Sequence, residues 1–459
     1  MKKALIAALM LGTAPVWASL AQDRLLTAVR GDDHAAIKAL LAQHADVNAP
    51  LADKSTVLAW AVDRQDEESV RLLLAAGAKP NLTDVSGATP LLLACELGNP
   101  NIVTALLKAG ANAKAARPDG ITALALCAGT ATPDTLAALT ARGANVNAAD
   151  PGGQTVLMWA AFKGRADNIA WLTQHGAQVN AVTKKGFTPL FFALRSKAPA
   201  AADALMQAGA DTRAVLPDGT TVIEAALIEQ DVPFAMKVVS SGVDINQRDA
   251  QGRQLIHIAA ASGSADFLKL VLAKGGDPNA LTAPPPAPVQ VADNAPAPIA
   301  GGGQKLARAD GSSGPPLPQP QPTPALLIAA GAGSADAMKT LVEAGAKPDA
   351  KAADGTTLAL AAAGGGSLAA LKYALQLDPD INAKGPGGKS IMHIAVANRL
   401  SPEAEDMIQY LADKGAVLDA KDDKGGTPAD FVNRTGPERI RVFYIQLLKD
   451  HNVTPSLAH

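Results

Sequence analysis

Aromatic residues are only 3% of this 459-residue chain, cysteine occurs twice, and neither charge sign prevails: the formal net charge is -2. Each scarcity excludes a class of protein. So weak a charge makes no basic field for nucleic acid, which is therefore not an expected partner. Few aromatics and abundant alanine suit closely stacked helices better than one large core built on bulky side chains. The common catalytic signatures are also missing: there is no HExxH, CxxC, GxSxG or GxxxxGK[ST]. The seven histidines, His34, His44, His175, His257, His393, His451 and His459, are dispersed along the chain. No catalytic residue, no metal and no cofactor is expected, and the chain is not read as an enzyme.

Long apolar runs are confined to the amino terminus. Met1-Lys2-Lys3 is followed by the uncharged stretch 4–18, which closes in Val16-Trp17-Ala18, small residues standing where a signal peptidase needs them. Residues 1–18 are read as a secretory signal peptide, cleaved after 18 or 21. Removing Lys2 and Lys3 takes the net charge from -2 to -4. No cysteine lies at the junction to carry a lipid and no later stretch spans a bilayer, so the expectation is periplasmic, with secretion as the alternative and no membrane insertion. Cys95 and Cys127 fall inside helical patterns of neighbouring periods. Packed helices lie about 8–10 Å apart and a disulfide wants Cα atoms within about 7 Å, so two buried free thiols are expected.

What the chain does have is a period. Gly77, Gly110, Gly143, Gly176, Gly209, Gly242 and Gly275 recur every 33 residues, and a period of that size signals a stacked array. Each glycine suits the position just past a helix end, where the backbone turns left-handed; His44, Asp378 and Gly415 stand there in less regular periods. Thr89-Pro90 and Thr188-Pro189 read as helix starts, the hydroxyl capping a free amide and the proline occupying the first helical position. "ATPLLLACELGNPNIVTALLKAGANAKA" resembles the ankyrin repeat family, and His257 and His393 occupy the histidine position of that family's TPLHxA signature. The resemblance implies an all-α ankyrin-repeat solenoid of about twelve helix-turn-helix repeats with short β-hairpin fingers, and histidines that brace adjacent loops. Trp60, Trp159 and Trp171 fall at apolar helix positions and are assigned to core packing; so is Phe192.

Repeats 1–8 are placed at 22–282 and repeats 9–12 at 324–459. The last carries Arg439, Arg441, Lys449 and Asp450 beside its apolar residues, as a C-terminal cap facing water should. Between the blocks, 283–323 is rich in proline, glycine and alanine and is expected to be a disordered loop. Gly275 and Gly345 are 70 residues apart, two periods plus four. Because the helices on either side of the loop look like internal repeats with apolar faces to cover, the two blocks are expected to stack directly.

The resemblance further implies that a partner protein binds a concave groove of fingers and first helices. Positions at finger tips and first-helix ends include Asp63 and Arg64, Glu96, Phe162 and Lys163, Lys184, Lys185 and Phe187, Arg195, Ile228 and Glu229. Phe162, Lys163, Lys184, Lys185, Phe187 and Arg195 are expected to be neighbours across one step of the stack, a cationic and aromatic anchor for an acidic or amphipathic segment. The expected function is a monomeric, non-enzymatic periplasmic scaffold for a protein partner. A secreted effector acting on a host protein, an immunity protein and a stress-protection protein remain alternatives.

Overall fold

The computed structural model describes residues 14–283, 322–398 and 401–454. Most of the expected leader and nearly all of the Pro-rich stretch lie outside the described residues. The described residues form twenty-four α-helices, which pair off in chain order. They contain no named strand: four fingers are closed by a single antiparallel bridge, among them Ala116 to Thr122 and Ala149 to Thr155, and the rest are turns without one, where hairpins had been expected. The chain divides into two compact units, Met1–Pro217 and Asp218–His459.

In the first unit, the first helix of each pair packs on the first helix of the next: Val57–Asp63 on Pro90–Leu97, that on Ala123–Thr130, then Val156–Phe162 and Pro189–Arg195. Their starts follow the sequence rule. Thr56, Thr89, Thr122 and Thr155 each accept a hydrogen bond from the amide three residues on. Thr188 departs from it: Pro189 does open the helix, but the buried Thr188 hydroxyl has no partner among the described residues and makes no cap. The amide of Phe187, one residue before, donates to the Thr183 hydroxyl of the same finger. The second helices bury Val70 and Leu73, Ile102 and Leu106, Leu136 and Leu139, Ile169 and Leu172. Burial of each such side chain contributes about 1.5–3 kcal/mol.

The 33-residue glycines are left-handed as read, with φ from 86° to 101°. His44 and Gly415 share that conformation at 59° and 87°. Asp378 does not: the helix Leu368–Leu377 ends on it with φ -129°, an extended exit that needs no glycine. Four residues past several of these glycines stands an asparagine that clips one period to the next. The Asn180 side-chain amide donates to the Gly209 carbonyl at 3.2 Å and its oxygen accepts from the Asp211 amide at 2.8 Å. Asn48, Asn81 and Asn147 make the same pair of bonds.

In the second unit, the clip also spans the Pro-rich interval. Asn279 donates to the Gly345 carbonyl and accepts from the Lys347 amide, both at 2.9 Å. Leu281 bridges Pro324, the Thr282 amide donates to the Thr323 carbonyl, and helix Leu255–Ser262 packs on Ala325–Gly331. His257 and His393 do brace loops. His257 Nδ1 accepts from the Gln254 amide and its Nε2 reaches the Ala280 carbonyl at 3.0 Å; His393 does likewise with Ser390 and Gly426. The closing helix Glu438–Asp450 buries Ile440, Tyr444, Leu447 and Leu448, while Arg439, Lys449 and Asp450 are exposed and Arg441 is half-buried.

The cysteines are a correction. Cys95 and Cys127 form a disulfide with Cα atoms 4.4 Å apart. The expected spacing of helix axes applied to bulky contact residues, but Ala94, Gly98, Ala128 and Gly129 surround these positions. With so little side chain between them, the two helices close on each other.

Candidate functional site

The repeat period aligns residues of the first unit into registers, and two of these build the site. Trp60, Leu93, Leu126, Trp159 and Phe192 share one; Asp63, Glu96, Gly129, Phe162 and Arg195 share another, three residues along the helix and so on the same face. Helix Val156–Phe162 therefore presents Trp159 and Phe162 beside Phe192 and Arg195 of helix Pro189–Arg195. Together with Gln154 and Met158 they line a cleft of about 330 Å³.

Phe162 is 48% exposed, and the Lys163 ammonium lies 5.8 Å from its ring centroid. Phe187, half-buried on the following finger, packs edge-on against Phe191 and lies 6.0 Å from Phe192. The Arg195 guanidinium sits over Phe187 at 5.4 Å, which joins the finger to the cleft. Lys184 and Lys185 are exposed on that same finger but do not line the cleft. The Lys184 amide donates to the Gly152 carbonyl, which fixes this finger against the one that leads into Gln154.

Of the expected residues, Phe162 and Arg195 meet in one cavity, Phe187 reaches it through Arg195 and Lys163 through Phe162, while Lys184 and Lys185 stand on the finger and are not brought into it. Arg64 and Glu96 stand apart and are already engaged: Arg64 forms a two-pronged ion pair with Asp32, and Glu96 pairs with Arg117 at 3.6 Å. Ile228 is 69% exposed in the second unit.

Trp159 and Phe192 correct the core assignment. Phe191 is the buried ring and Phe192 a half-buried cleft wall; Trp60, Trp159 and Trp171 are likewise half-buried. Trp60 donates its indole N–H to Ser55 at 3.2 Å, and Trp171 stacks on His175 at 3.9 Å. The Trp159 N–H is buried with no acceptor among the described residues; Gln154, which stands where Ser55 does in the Trp60 period, does not take that bond. A signal was present: six of the chain's fifteen aromatic residues fall between 159 and 192.

Helix pairs stacked at a constant period, clipped by asparagines and carrying side chains free of packing duty at finger tips and helix ends, define a repeat protein whose exposed positions suit recognition. The family model for ankyrin repeats (3 copies) matches residues 25–117, 91–183, 123–215 and 326–422. The chain belongs to the ankyrin repeat family, and it is a protein–protein interaction scaffold of a kind generally without enzymatic activity. No curated protein matches it. Among the described residues no helix is long and apolar enough to cross a membrane.

Proposed function

We propose that the protein acts as a monomeric scaffold in the periplasm and holds its partner along the groove of fingers and first helices, with Phe162, Lys163, Lys184, Lys185, Phe187 and Arg195 at the centre of the contact and Glu96 and Arg64 towards its edge. The observation that carries this reading is the cleft at Trp159, Phe162, Phe192 and Arg195, where exposed aromatic surface meets exposed cations on a rigid helix pair. Its compartment is supported by the leader-like residues 1–18 and by the Cys95–Cys127 disulfide, which persists in oxidising surroundings. A photo-crosslinking residue at 162 or 187 in the native cell envelope should capture one defined protein, identified by mass spectrometry, while one at the exposed second-helix position 170 should not. Recovery of the protein only from the cytoplasm, or no adduct from either site, would overturn the proposal.

A further inference from the structure

The cations of the first unit fall into two groups, those held by carboxylates and those left to water, and the cations beside the cleft belong to the second group together with Lys79, Lys108 and Lys114. Arg64, Arg71 and Arg117 are each ion-paired with a carboxylate, as is Lys38 with Glu68. Lys163, Lys184, Lys185 and Arg195 are all exposed, and none makes an ion pair among the described residues. Two of them instead lie over rings that belong to the patch, Lys163 over Phe162 and Arg195 over Phe187. Four exposed cations without an ion pair among the described residues thus belong to two consecutive periods of a chain whose net charge is negative, and two of the four touch the cleft's aromatic surface.

Beside Arg195 and the Lys163–Phe162 contact lies an aromatic hollow too small for an extended cofactor. Its volume of about 330 Å³ is at the bottom of the range for ligand pockets of roughly 300–1,000 Å³ and suits a side chain or two. A solvent-filled hollow with Trp159, Phe162 and Phe192 as walls gains from any apolar group that displaces its water. The surrounding charges reward carboxylates at the same moment and penalise a basic partner.

Resting on the reading of this surface as the partner contact, we propose that its occupant is an acidic protein segment that seats one bulky apolar side chain in the cleft between Phe162 and Phe192, with flanking Asp or Glu side chains on Arg195 and on Lys163, Lys184 and Lys185. The apolar side chain anchors the segment and the carboxylates select it. Arg195, at both cleft and finger, couples the two.

The test is selection of a random-peptide display library on the full-length oxidised protein, followed by affinity measurements on the enriched peptides. Enriched sequences should combine a Phe, Trp, Leu or Met with two or more acidic residues nearby. Their affinity should fall at least about tenfold for Phe162→Ala and for Arg195→Glu, a loss typical of an interface anchor. It should also weaken as salt rises, as exposed charge pairs do. Selection on Arg195→Glu should shift towards less acidic peptides. Both side chains are exposed, so unchanged melting of the variants confirms intact stacking. Neutral or basic enriched sequences, retention by both variants, or no enrichment would overturn the proposal. Crosslinking from 162 to a neutral or basic segment of a defined protein would overturn this chemistry alone and leave the scaffold reading standing. A failure of crosslinking at both positions would remove that reading as well.

Discussion

At position 159 an indole N–H is buried with nothing to donate to, while the same register position 99 residues earlier, Trp60, has the Ser55 hydroxyl. An unmet buried donor costs about 1–3 kcal/mol. Gln154→Ser puts a hydroxyl where Ser55 stands in the Trp60 period, so it should raise Tm by a few degrees, roughly 2–4 °C for about 1 kcal/mol in a body of this size. Calorimetry checks this, and an unchanged or lower Tm refutes it. The two bracing histidines give a second prediction. Burial pushes His257 and His393 below the usual histidine value despite the carbonyl bonds that favour the charged ring. A depressed histidine pKa means that the unfolded chain binds the proton first, so the contribution is complete above about pH 6.5 and declines as pH falls below it. Unfolding free energy should therefore drop between about pH 6.5 and 5, and His257→Gln should flatten the profile while lowering its plateau. The period made Gly176 and Asn180 legible in the sequence, because each recurs at a fixed place in the repeat, and the family resemblance did the same for His257. It did not separate Phe191 from Phe192, since a one-residue difference of face depends on how two helices turn against each other. Nor did it reveal the Thr188 hydroxyl's lost cap, which depends on a side-chain rotamer.

Helix pairs are joined to their neighbours by few, repeated devices, and each can be removed singly. Asn180→Ala deletes both bonds that clip its finger to the next period, leaving the Gly209 carbonyl and the Asp211 amide to water. Their exposure moderates the loss to about 1–2 kcal/mol. Urea unfolding should show a lower midpoint, with protection from hydrogen exchange falling first at the helices on either side of residues 196–211. Lys114 occupies the asparagine register of its own period, so Lys114→Asn supplies a clip that the stack lacks there. The disulfide shows where helix-level reasoning from sequence gave out. Average axis distances forbade it, yet the alanines and glycines beside Cys95 and Cys127 had already implied a closer approach, and composition was the better guide than the mean.

For the whole molecule, each helix pair depends on its neighbours, so stability is a sum of local terms along the chain rather than the property of one core. The Pro-rich interval is the clearest consequence. Residues 281 and 324 are bridged within a single finger, and Asn279 and Lys347 are joined as if consecutive. Replacement of 284–321 by a Gly-Ser turn of about four residues, a common hairpin length, should leave Tm within a few degrees. A large loss of Tm, or unfolding that splits into separate transitions for the flanking pairs, would show that the interval contributes to the stack. Self-comparison exposed the array because it is periodic, whereas the cleft's occupant leaves no periodic trace and had to be inferred from charges without partners. The disulfide gives this additive chain one inextensible link. Pulled from its two ends, an unfolding solenoid pays out its length pair by pair, but the segment enclosed by Cys95 and Cys127, 32 residues apart in sequence, stays out of the load path. The oxidised protein is therefore shorter at full extension by about 100 Å, at roughly 3.3–3.6 Å per residue, and a reductant restores that slack.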